Sequence, residues 1–161
     1  MEELKKNGGG ASTSGIFVIE VNLSISISWV LDTGCGSHIC SNVQGLKNKR
    51  TLAKGEVDLR VRNGARVAAL EIGDFELTLP SGLVTLSKNC YYVPAMSGNI
   101  ISVSYLDMDG FFFIIKNNVI SLHCEDMFYG NALLINGLYI LDLENQSQYV
   151  TLILNGLNQT S

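Results

Sequence analysis

The sequence predicts an all-β fold, a small closed β-barrel made of hairpins with one short helix. Turn residues recur roughly every ten positions between alternating apolar and polar runs, a spacing typical of barrels with many short strands. No segment keeps a helical period long enough for more than one short helix. The 161 residues include only two prolines, which interrupt strand ladders because they lack a backbone donor.

Length and composition favour one globular domain without a nucleic-acid or membrane partner. The chain has 161 residues, which is long enough to bury a core. Of these residues 47% are hydrophobic and 16% charged, a composition too apolar for wholesale disorder. The net charge is −4, and the basic clusters at Lys5-Lys6 and Lys47–Arg50 are too short to form a nucleic-acid surface. No apolar run is long enough to span a membrane, and the first residues lack the layout of a secretory signal.

The cysteines and histidines do not have the spacing of a metal site. No two cysteines form a Cys-x-x-Cys pair, and only two histidines, His38 and His123, can join them. Zinc sites usually show such pairs at short spacing. We therefore expect no metal and no other cofactor, and free, mostly buried thiols at Cys35, Cys40, Cys90 and Cys124.

The two ends of the chain differ from its middle in composition. Residues 7–15 are rich in glycine and serine, so residues 1–15 are predicted to be a flexible linker. Strand candidates follow at residues 16–21 and 24–29, the second with alternating serine and isoleucine, which is the period of a half-buried strand. The last residues, 145–161, are predicted to be a polar, frayed tail.

An apolar run at residues 29–31 leads to a single acid, Asp32, on a turn of small residues that begins Thr33-Gly34. Desolvating a carboxylate is costly, so an acid at the end of a buried strand suggests a group held in a cleft for chemistry. The alternative is an ordinary surface turn after a strand, and the tripeptide alone does not decide between the two.

A series of hairpins is predicted after the acid turn. Val57, Leu59 and Val61 alternate with charged residues and precede Asn63-Gly64, a pair that predicts a turn with positive φ at both positions. Further turns are predicted at Gly73-Asp74, Pro80–Gly82, Asn117-Asn118 and Asn136-Gly137. The strands around them are predicted at residues 65–72, 75–79, 83–86, 89–93, 111–116, 119–124, 127–129, 133–135 and 138–143.

One short helix is predicted between these strands. Residues 102–108 are expected to form it, and Asp109-Gly110 closes it. Its apolar face is expected to carry Val103, Leu106 and Met108. Asp107 and Asp109 lie around its end, where we expect a solvated cap rather than a catalytic pair. The three phenylalanines at residues 111–113 fit alternating core and flank positions of a strand better than a binding stripe.

Three features occur in order along the chain: the acid turn Leu31-Asp32-Thr33-Gly34, a hairpin with a tight tip, and Asn99-Ile100-Ile101-Ser102 ahead of the predicted helix. Together they resemble a retropepsin, the retroviral-type aspartic protease. More finely, the histidine after the acid motif and the phrases Cys90–Pro94 and Asn99–Val103 resemble the protease region of copia-type retrotransposon polyproteins of plants. The resemblance covers residues 16–143.

The resemblance implies a retropepsin-like fold and a division of the chain. Residues 16–129 would be the β-barrel protease domain. Leu138–Leu141 resembles the beginning of the segment between protease and integrase, so residues 130–144 would begin that connecting, gag-pre-integrase-like segment. The resemblance also implies a cytoplasmic location, including the interior of virus-like particles.

Roles for three groups of residues follow from the resemblance. Asp32 would be the catalytic acid, Thr33 would bond across to the matching loop of a partner, and Gly34 would let the substrate approach the backbone. The flap that closes over the peptide substrate would have as its tip Arg62, Asn63, Gly64 and Ala65. The inner strand that packs under the acid loop would be Asn99, Ile100, Ile101 and Ser102.

An aspartic protease needs two carboxylates that share one proton and one water. No other aspartate begins Asp-Thr-Gly or Asp-Ser-Gly; the remaining ones are Asp58, Asp74, Asp107, Asp109, Asp126 and Asp142. The second carboxylate must therefore come from a second copy of Asp32, so we expect a homodimer that cleaves peptide segments of its own polyprotein. The alternative is a non-catalytic β-barrel remnant or fragment of such a polyprotein, with a structural or interaction role only.

His38 allows a different interpretation, a nucleophilic triad with Ser37 or Cys35. Neighbouring residues on one turn rarely aim at a shared point, and no oxyanion-hole motif follows. We therefore expect a histidine at the surface or at the dimer edge. Two features depart from the protease pattern: Gly36 stands where a small hydroxyl residue is common in the acid loop, and the flap tip has a single glycine.

Overall fold

The structure, a computed structural model, describes residues 28–143. The strands are β1 (Trp29–Asp32), β2 (Ile39–Cys40), β3 (Leu46–Thr51), β4 (Asp58–Arg60), β5 (Arg66–Ala68), β6 (Glu71–Thr78), β7 (Val84–Tyr92), β8 (Asn99–Ser102), β9 (Phe111–Lys116), β10 (Val119–Cys124), β11 (Met127–Ile135) and β12 (Leu138–Leu141), and the helix is α1 (Val103–Met108). The predicted all-β class with one short helix is confirmed. The linker at 1–15, the strand candidate at 16–21, most of that at 24–29 and the tail at 145–161 lie outside the described residues.

Ten of the strands form one mixed sheet whose order does not close. Along this sheet the strands follow the order β3-β6-β7-β2-β8-β1-β12-β11-β10-β9, while β4 and β5 pair in a separate hairpin. No pairing joins the end strands β3 and β9 within residues 28–143, so the expected closure of the barrel is not found. β3 buries only Leu46 and exposes Lys47, Lys49 and Arg50, and charged edge strands of this kind resist pairing with another strand.

β11 and β12 belong to the same sheet as the acid turn. β12 pairs antiparallel with β1 at Val30 and Ile140, and β11 pairs antiparallel with β12. β11 runs through residues 129 and 130, where the resemblance implied a domain boundary. Within residues 130–141, β12 therefore lies directly beside β1 and β11 lies one strand further along the sheet.

The main core surrounds Trp29 and Leu31 of β1. Trp29 is 2% exposed and meets Phe75 edge to face, with 4.8 Å between the ring centroids. The other buried members of this core are Cys40, Leu46, Leu77, Leu79, Cys90, Ile101, Leu106, Ile120, Leu122, Ala132, Leu141 and Leu143. Removing this much apolar surface from water is the main force that holds the strands together.

Two of the predicted two-residue turns have the expected backbone. Asn117 and Asn118 have φ of 52° and 63°, and Asn136 and Gly137 have φ of 51° and 79°. Both pairs therefore take the left-handed conformation of tight hairpin turns, which asparagine and glycine adopt most easily.

The β4–β5 hairpin is confirmed, but its predicted turn geometry is wrong. Gly64 has a positive φ of 84° and Asn63 does not. The N–H of Gly64 donates to the carbonyl of Val61, and the N–H of Val61 donates to the carbonyl of Ala65. These bonds close a three-residue loop with a left-handed glycine at its end, the next most common hairpin connection.

The predicted turn at Gly73-Asp74 is also wrong, because both residues lie inside the continuous strand β6. A Cβ at Gly73 would be 2.6 Å from the carbonyl oxygen of Lys47, so the glycine permits a close approach of β3 rather than a turn. The register of β6 against β7 shifts just after Gly73, a bulge that bends the strand without ending it. The predicted strands at 83–86 and 89–93 likewise merge into β7, where Asn89 has a φ of 55°.

Helix α1 ends where the sequence predicts and begins one residue later, because Ser102 caps it rather than starting it. Ser102 is the N-cap, its Oγ accepts from the N–H of Tyr105 at 3.2 Å, and Gly110 with φ of 92° follows the C-cap Asp109. Leu106 is buried, but Met108 is 73% exposed, so its predicted place on the apolar face is wrong. Two residues along a helix turn the side chain to the opposite side. Among the described residues no helix is long and apolar enough to cross a membrane.

Candidate active site

The acid turn and the predicted inner strand lie side by side in the sheet. β1 and β8 pair in parallel, and their register partners are Trp29 with Asn99, Val30 with Ile100, Leu31 with Ile101, and Asp32 with Ser102. The two segments that the resemblance relates to catalysis are thus brought together by direct strand pairing. Asp32 stands at the carboxyl end of its strand, where the chain leaves the sheet.

The Asp32 carboxylate is half-buried and open towards solvent. Its Oδ1 accepts a hydrogen bond from the backbone N–H of Gly34 at 2.7 Å. A Cβ at Gly34 would be 3.2 Å from the same oxygen, so a side chain at this position would crowd the acid. Thr33 and Gly34 are both exposed. The turn therefore presents a carboxylate, a hydroxyl and an uncovered backbone segment to anything that approaches the end of β1.

A groove with a volume of about 360 Å³ lies beside Thr33. It is lined by Thr33, Val103, Ser104, Asp107, Phe111, Phe112 and Phe113. The groove therefore connects the acid turn with helix α1 and the edge strand β9. Asp107 is exposed on α1, as expected for a solvated group, but it shares this groove with the acid turn.

The predicted flap residues form the exposed tip of the β4–β5 hairpin. All four, Arg62, Asn63, Gly64 and Ala65, are exposed. The base of the hairpin packs through Leu59 and Val67 onto a buried cluster of Ile39, Leu52, Ala69 and Val93. Cys35 of the acid turn and Ile100 of β8 pack against the same cluster. The hairpin and the acid turn therefore share one small core, while no hydrogen bond joins the four tip residues to Asp32 within residues 28–143.

The side chain of Asn99 links three segments near the start of β1, at the opposite end of the strand from Asp32. Its Oδ1 accepts from the N–H of Ser41 at 2.9 Å and from Ser41 Oγ at 3.2 Å, and its Nδ2 donates to the carbonyl of Ser28 at 3.3 Å. Asn99 is 6% exposed, so these bonds satisfy polar groups that would otherwise be buried without partners.

His38 is buried, and the expectation of a surface or dimer-edge histidine is wrong. It is 0% exposed, its Nδ1 accepts from the N–H of Ser102 at 3.1 Å, and its ring centroid is 5.0 Å from that of Tyr105. Burial lowers the pKa of His38 to about 4, and the negative charge of Asp109 offsets this only in part. The imidazole is therefore neutral, with its proton on Nε2.

The same contacts argue against the nucleophilic triad. His38 Nδ1 already accepts a hydrogen bond from the backbone N–H of Ser102, so it cannot accept a proton from Ser37 or Cys35. The thiol of Cys35 donates to the carbonyl of Ser37 at 3.2 Å, and burial raises the pKa of this thiol. A nucleophilic cysteine needs a lowered pKa and a base that accepts its proton. The turn provides neither to Cys35.

Residues 29–111 match a family model described as "Pol polyprotein, beta-barrel domain". The match spans more than half of the 161 residues and contains Asp32, the hairpin tip and the inner strand. The chain belongs to this family. No curated protein and no solved structure matches the chain. Membership of the Pol β-barrel family supports an origin in a retrotransposon Pol polyprotein.

Within residues 28–143 the four cysteines form no disulfide, and two of them are buried whereas Cys35 and Cys124 are half-buried. Cys40 and Cys90 are the buried ones and lie in the main core, where their thiols are hydrogen-bonded to each other. The hydrogen bond with Cys40 and, after it, burial raise the pKa of Cys90. No cluster of three or more histidine, cysteine or acidic side chains within residues 28–143 is placed to hold a metal ion.

The three phenylalanines alternate along β9, as the sequence predicts. Phe111 and Phe113 are half-buried and pack against the main core. Phe112 is 48% exposed and stacks on His123, with 5.0 Å between centroids and 12° between the ring planes. This strand is an edge of the sheet and also a wall of the groove beside Thr33.

Proposed function

We propose that this Pol β-barrel domain is a retropepsin-like aspartic endopeptidase from a copia-type retrotransposon of plants, and that it processes its own polyprotein as a homodimer. The observation that carries the proposal is the parallel pairing of β1 with β8, which holds Asp32 half-buried at a strand end beside Ser102. The order of the acid turn, hairpin and inner strand adds support from the resemblance to retropepsins.

In this proposal each copy supplies one Asp32. Two carboxylates a few ångström apart cannot both ionise cheaply, so the pair holds one proton and titrates as a unit. The ionised carboxylate takes a proton from a shared water, whose oxygen attacks the scissile carbonyl carbon while the protonated carboxyl gives its proton to the carbonyl oxygen. When this adduct collapses, the C–N bond breaks, the leaving amine takes the proton held by the first carboxyl, and the second carboxyl regains its own. The exposed positions of Thr33 and Gly34 suit a contact with the partner loop and a close approach of the substrate.

The β4–β5 hairpin is the proposed flap. Its tip is exposed and it pairs with no strand of the ten-stranded sheet, so it can move without breaking that sheet. Its base shares a small core with Cys35 of the acid turn, which gives the flap a fixed origin next to the acid. The proposed substrate is an extended peptide of the polyprotein, bound between this flap and the acid turns in the cytoplasm or in virus-like particles.

The test is Asp32→Asn, assayed for cleavage of a polyprotein-derived peptide at mildly acidic pH. We expect loss of cleavage with an unchanged circular dichroism spectrum, because asparagine has nearly the same shape but cannot accept the proton. Asp126→Asn, at an exposed turn between β10 and β11, is the matched control and should retain activity. Full activity of Asp32→Asn would end the proposal.

A second candidate is a non-catalytic domain of the same polyprotein. It is favoured by the contacts of Asp32, whose carboxylate receives a single hydrogen bond within residues 28–143, from its own turn. One chain therefore holds half of the required pair of acids. A purified chain that is monomeric at micromolar concentration and cleaves no peptide would support this candidate over the protease.

A further inference from the structure

We infer that His38 is a positioning residue of the acid turn: its neutral imidazole accepts the backbone N–H of Ser102 and thereby fixes the strand end that lies beside Asp32. The catalytic consequence of this inference rests on the proposed function, whereas the contacts themselves do not.

Backbone contacts alone fix the position of His38. The residue directly precedes β2, which pairs with both β7 and β8. The N–H of Tyr91 donates to the carbonyl of His38 at 3.0 Å. With its backbone fixed at this junction, the imidazole reaches the end of β8, where Ser102 is completely buried.

The N–H of Ser102 is a donor that the local secondary structure leaves without a regular partner. It lies at the junction of β8 and α1, and the first N–H groups of a helix have no acceptor within the helix. A buried N–H without a partner costs free energy. His38 Nδ1, 3.1 Å away, supplies the acceptor.

Tyr105 holds the imidazole on its other side. The two ring centroids are 5.0 Å apart. The hydroxyl of Tyr105 accepts a hydrogen bond from Asn89 Nδ2 at 3.0 Å. The backbone N–H of Tyr105 donates to Ser102 Oγ at 3.2 Å. His38, Ser102 and Tyr105 thus restrain one another through ring, side-chain and backbone contacts, directly beside the register pair of Asp32 and Ser102.

Because the second ring nitrogen, Nε2, has no partner within residues 28–143, a role of His38 in positioning can be told apart from a role in stability. His38 Nε2 is buried and has no hydrogen-bond partner among the described residues. His38→Leu removes this unpaired donor while it leaves Ser102 N–H unpaired, so the number of unpaired buried donors does not change. Stability should therefore move little, while the alignment of the strand end beside Asp32 is lost.

The experiment compares three variants, His38→Leu, His38→Asn and His38→Gln. Asparagine can place an oxygen near the position of Nδ1, whereas the longer glutamine places its amide near that of Nε2, so these two form a matched pair. The measurements are residue-resolved hydrogen exchange at Ser102 and the acid turn, and kcat and KM for a polyprotein-derived peptide.

We expect His38→Leu and His38→Gln to raise exchange at Ser102 about tenfold or more. In the same variants kcat should fall about tenfold or more with KM nearly unchanged, because misplaced catalytic groups affect the chemical step. His38→Asn should stay within about threefold of the wild type in both hydrogen exchange at Ser102 and kcat. A general packing defect would instead affect the asparagine variant as strongly as the others.

The inference is overturned if His38→Leu folds with wild-type exchange and wild-type kcat, or if the asparagine and glutamine variants behave alike. If the leucine variant does not fold, the asparagine and glutamine pair decides the question. If the wild type cleaves no peptide, the proposed function fails, and exchange at Ser102 and Gly34 still decides whether His38 positions the turn.

Discussion

Asp32, the last residue of β1, pairs in parallel register with Ser102, the last residue of β8. Ser102 also caps α1 through its side chain and donates its N–H to His38. The position of the acid therefore depends on a long-range pairing whose other end is fixed to a helix and to a buried imidazole. Substitutions at Ser102 and its neighbours should therefore shift the acid turn although these residues lie outside it.

Ser102→Ala should lower the free energy of unfolding by about 1 kcal/mol, the usual cost of losing an N-cap hydroxyl. The N–H of Tyr105 would lose its acceptor at the start of α1. Urea denaturation monitored by circular dichroism measures the effect. Ser97→Ala, in an exposed loop, is the control and should stay within about 0.5 kcal/mol of the wild type. Equal stabilities of the two variants would contradict the assigned cap.

Asn99→Leu should destabilise the chain by about 2 kcal/mol or more, because a side chain of similar size would leave buried partners unpaired. Those partners are the N–H of Ser41 and the carbonyl of Ser28. Ser41→Ala removes only the weaker hydroxyl contact and should cost less than about 1 kcal/mol. Denaturant midpoints at constant slope give both values. A leucine variant as stable as the alanine variant would argue against this network.

The burial of His38 predicts a loss of stability in acid. Its pKa is about 4 in the folded chain, below the ordinary value of 6.5. Between these pH values the unfolded chain binds a proton at His38 that the folded chain does not, so the free energy of unfolding falls as the pH falls. The total loss from this group is about 3 kcal/mol, complete near pH 4 and absent above pH 6.5.

Urea denaturation at several pH values between 4 and 7 measures this dependence. His38→Asn should remove this part of the decline, whereas His123→Asn should leave it in place. His123 lies on β10, stacked on Phe112, so it controls for the loss of a histidine as such. An unchanged decline in the His38 variant would show that other groups cause it.

Local signals in the sequence predict much of this fold. The turns at Asn117-Asn118 and Asn136-Gly137 follow from residues that tolerate positive φ. The end of the helix at Asp109-Gly110 follows from a glycine that tolerates positive φ, whereas the N-cap role of Ser102 appears only in the structure. These predictions succeed because the decisive interactions lie within a few residues of one another.

The features that the sequence does not predict depend on distant segments. Gly73 resembles a turn glycine, and only the approach of Lys47 from β3 shows its actual role. His38 resembles a surface histidine because its acceptor role needs Ser102 from a remote strand. The groove beside Thr33 exists because β9 lies opposite the acid turn, a relationship that no local pattern contains.

Gly73→Ala should destabilise the chain by about 1–3 kcal/mol, because the added Cβ would require the backbone of β3 to move. The nearest atom, the carbonyl oxygen of Lys47, would be 2.6 Å away. Gly98→Ala is the matched control, since a Cβ there meets nothing within 4 Å, and it should be nearly neutral. Thermal unfolding of both variants checks the difference, and equal midpoints would contradict the close approach.

Thr33→Val tests the homodimer of the proposed function. Thr33 is exposed on the acid turn, so valine should leave the free energy of unfolding of the single chain within about 0.5 kcal/mol. If the hydroxyl bonds across to the partner loop, its loss weakens dimerisation by about 1 kcal/mol, roughly fivefold in the dissociation constant. Thr33→Ser keeps the hydroxyl and should associate like the wild type. Sedimentation equilibrium measures all three chains, and a valine variant that dimerises as tightly as the wild type would rule out this contact across the dimer.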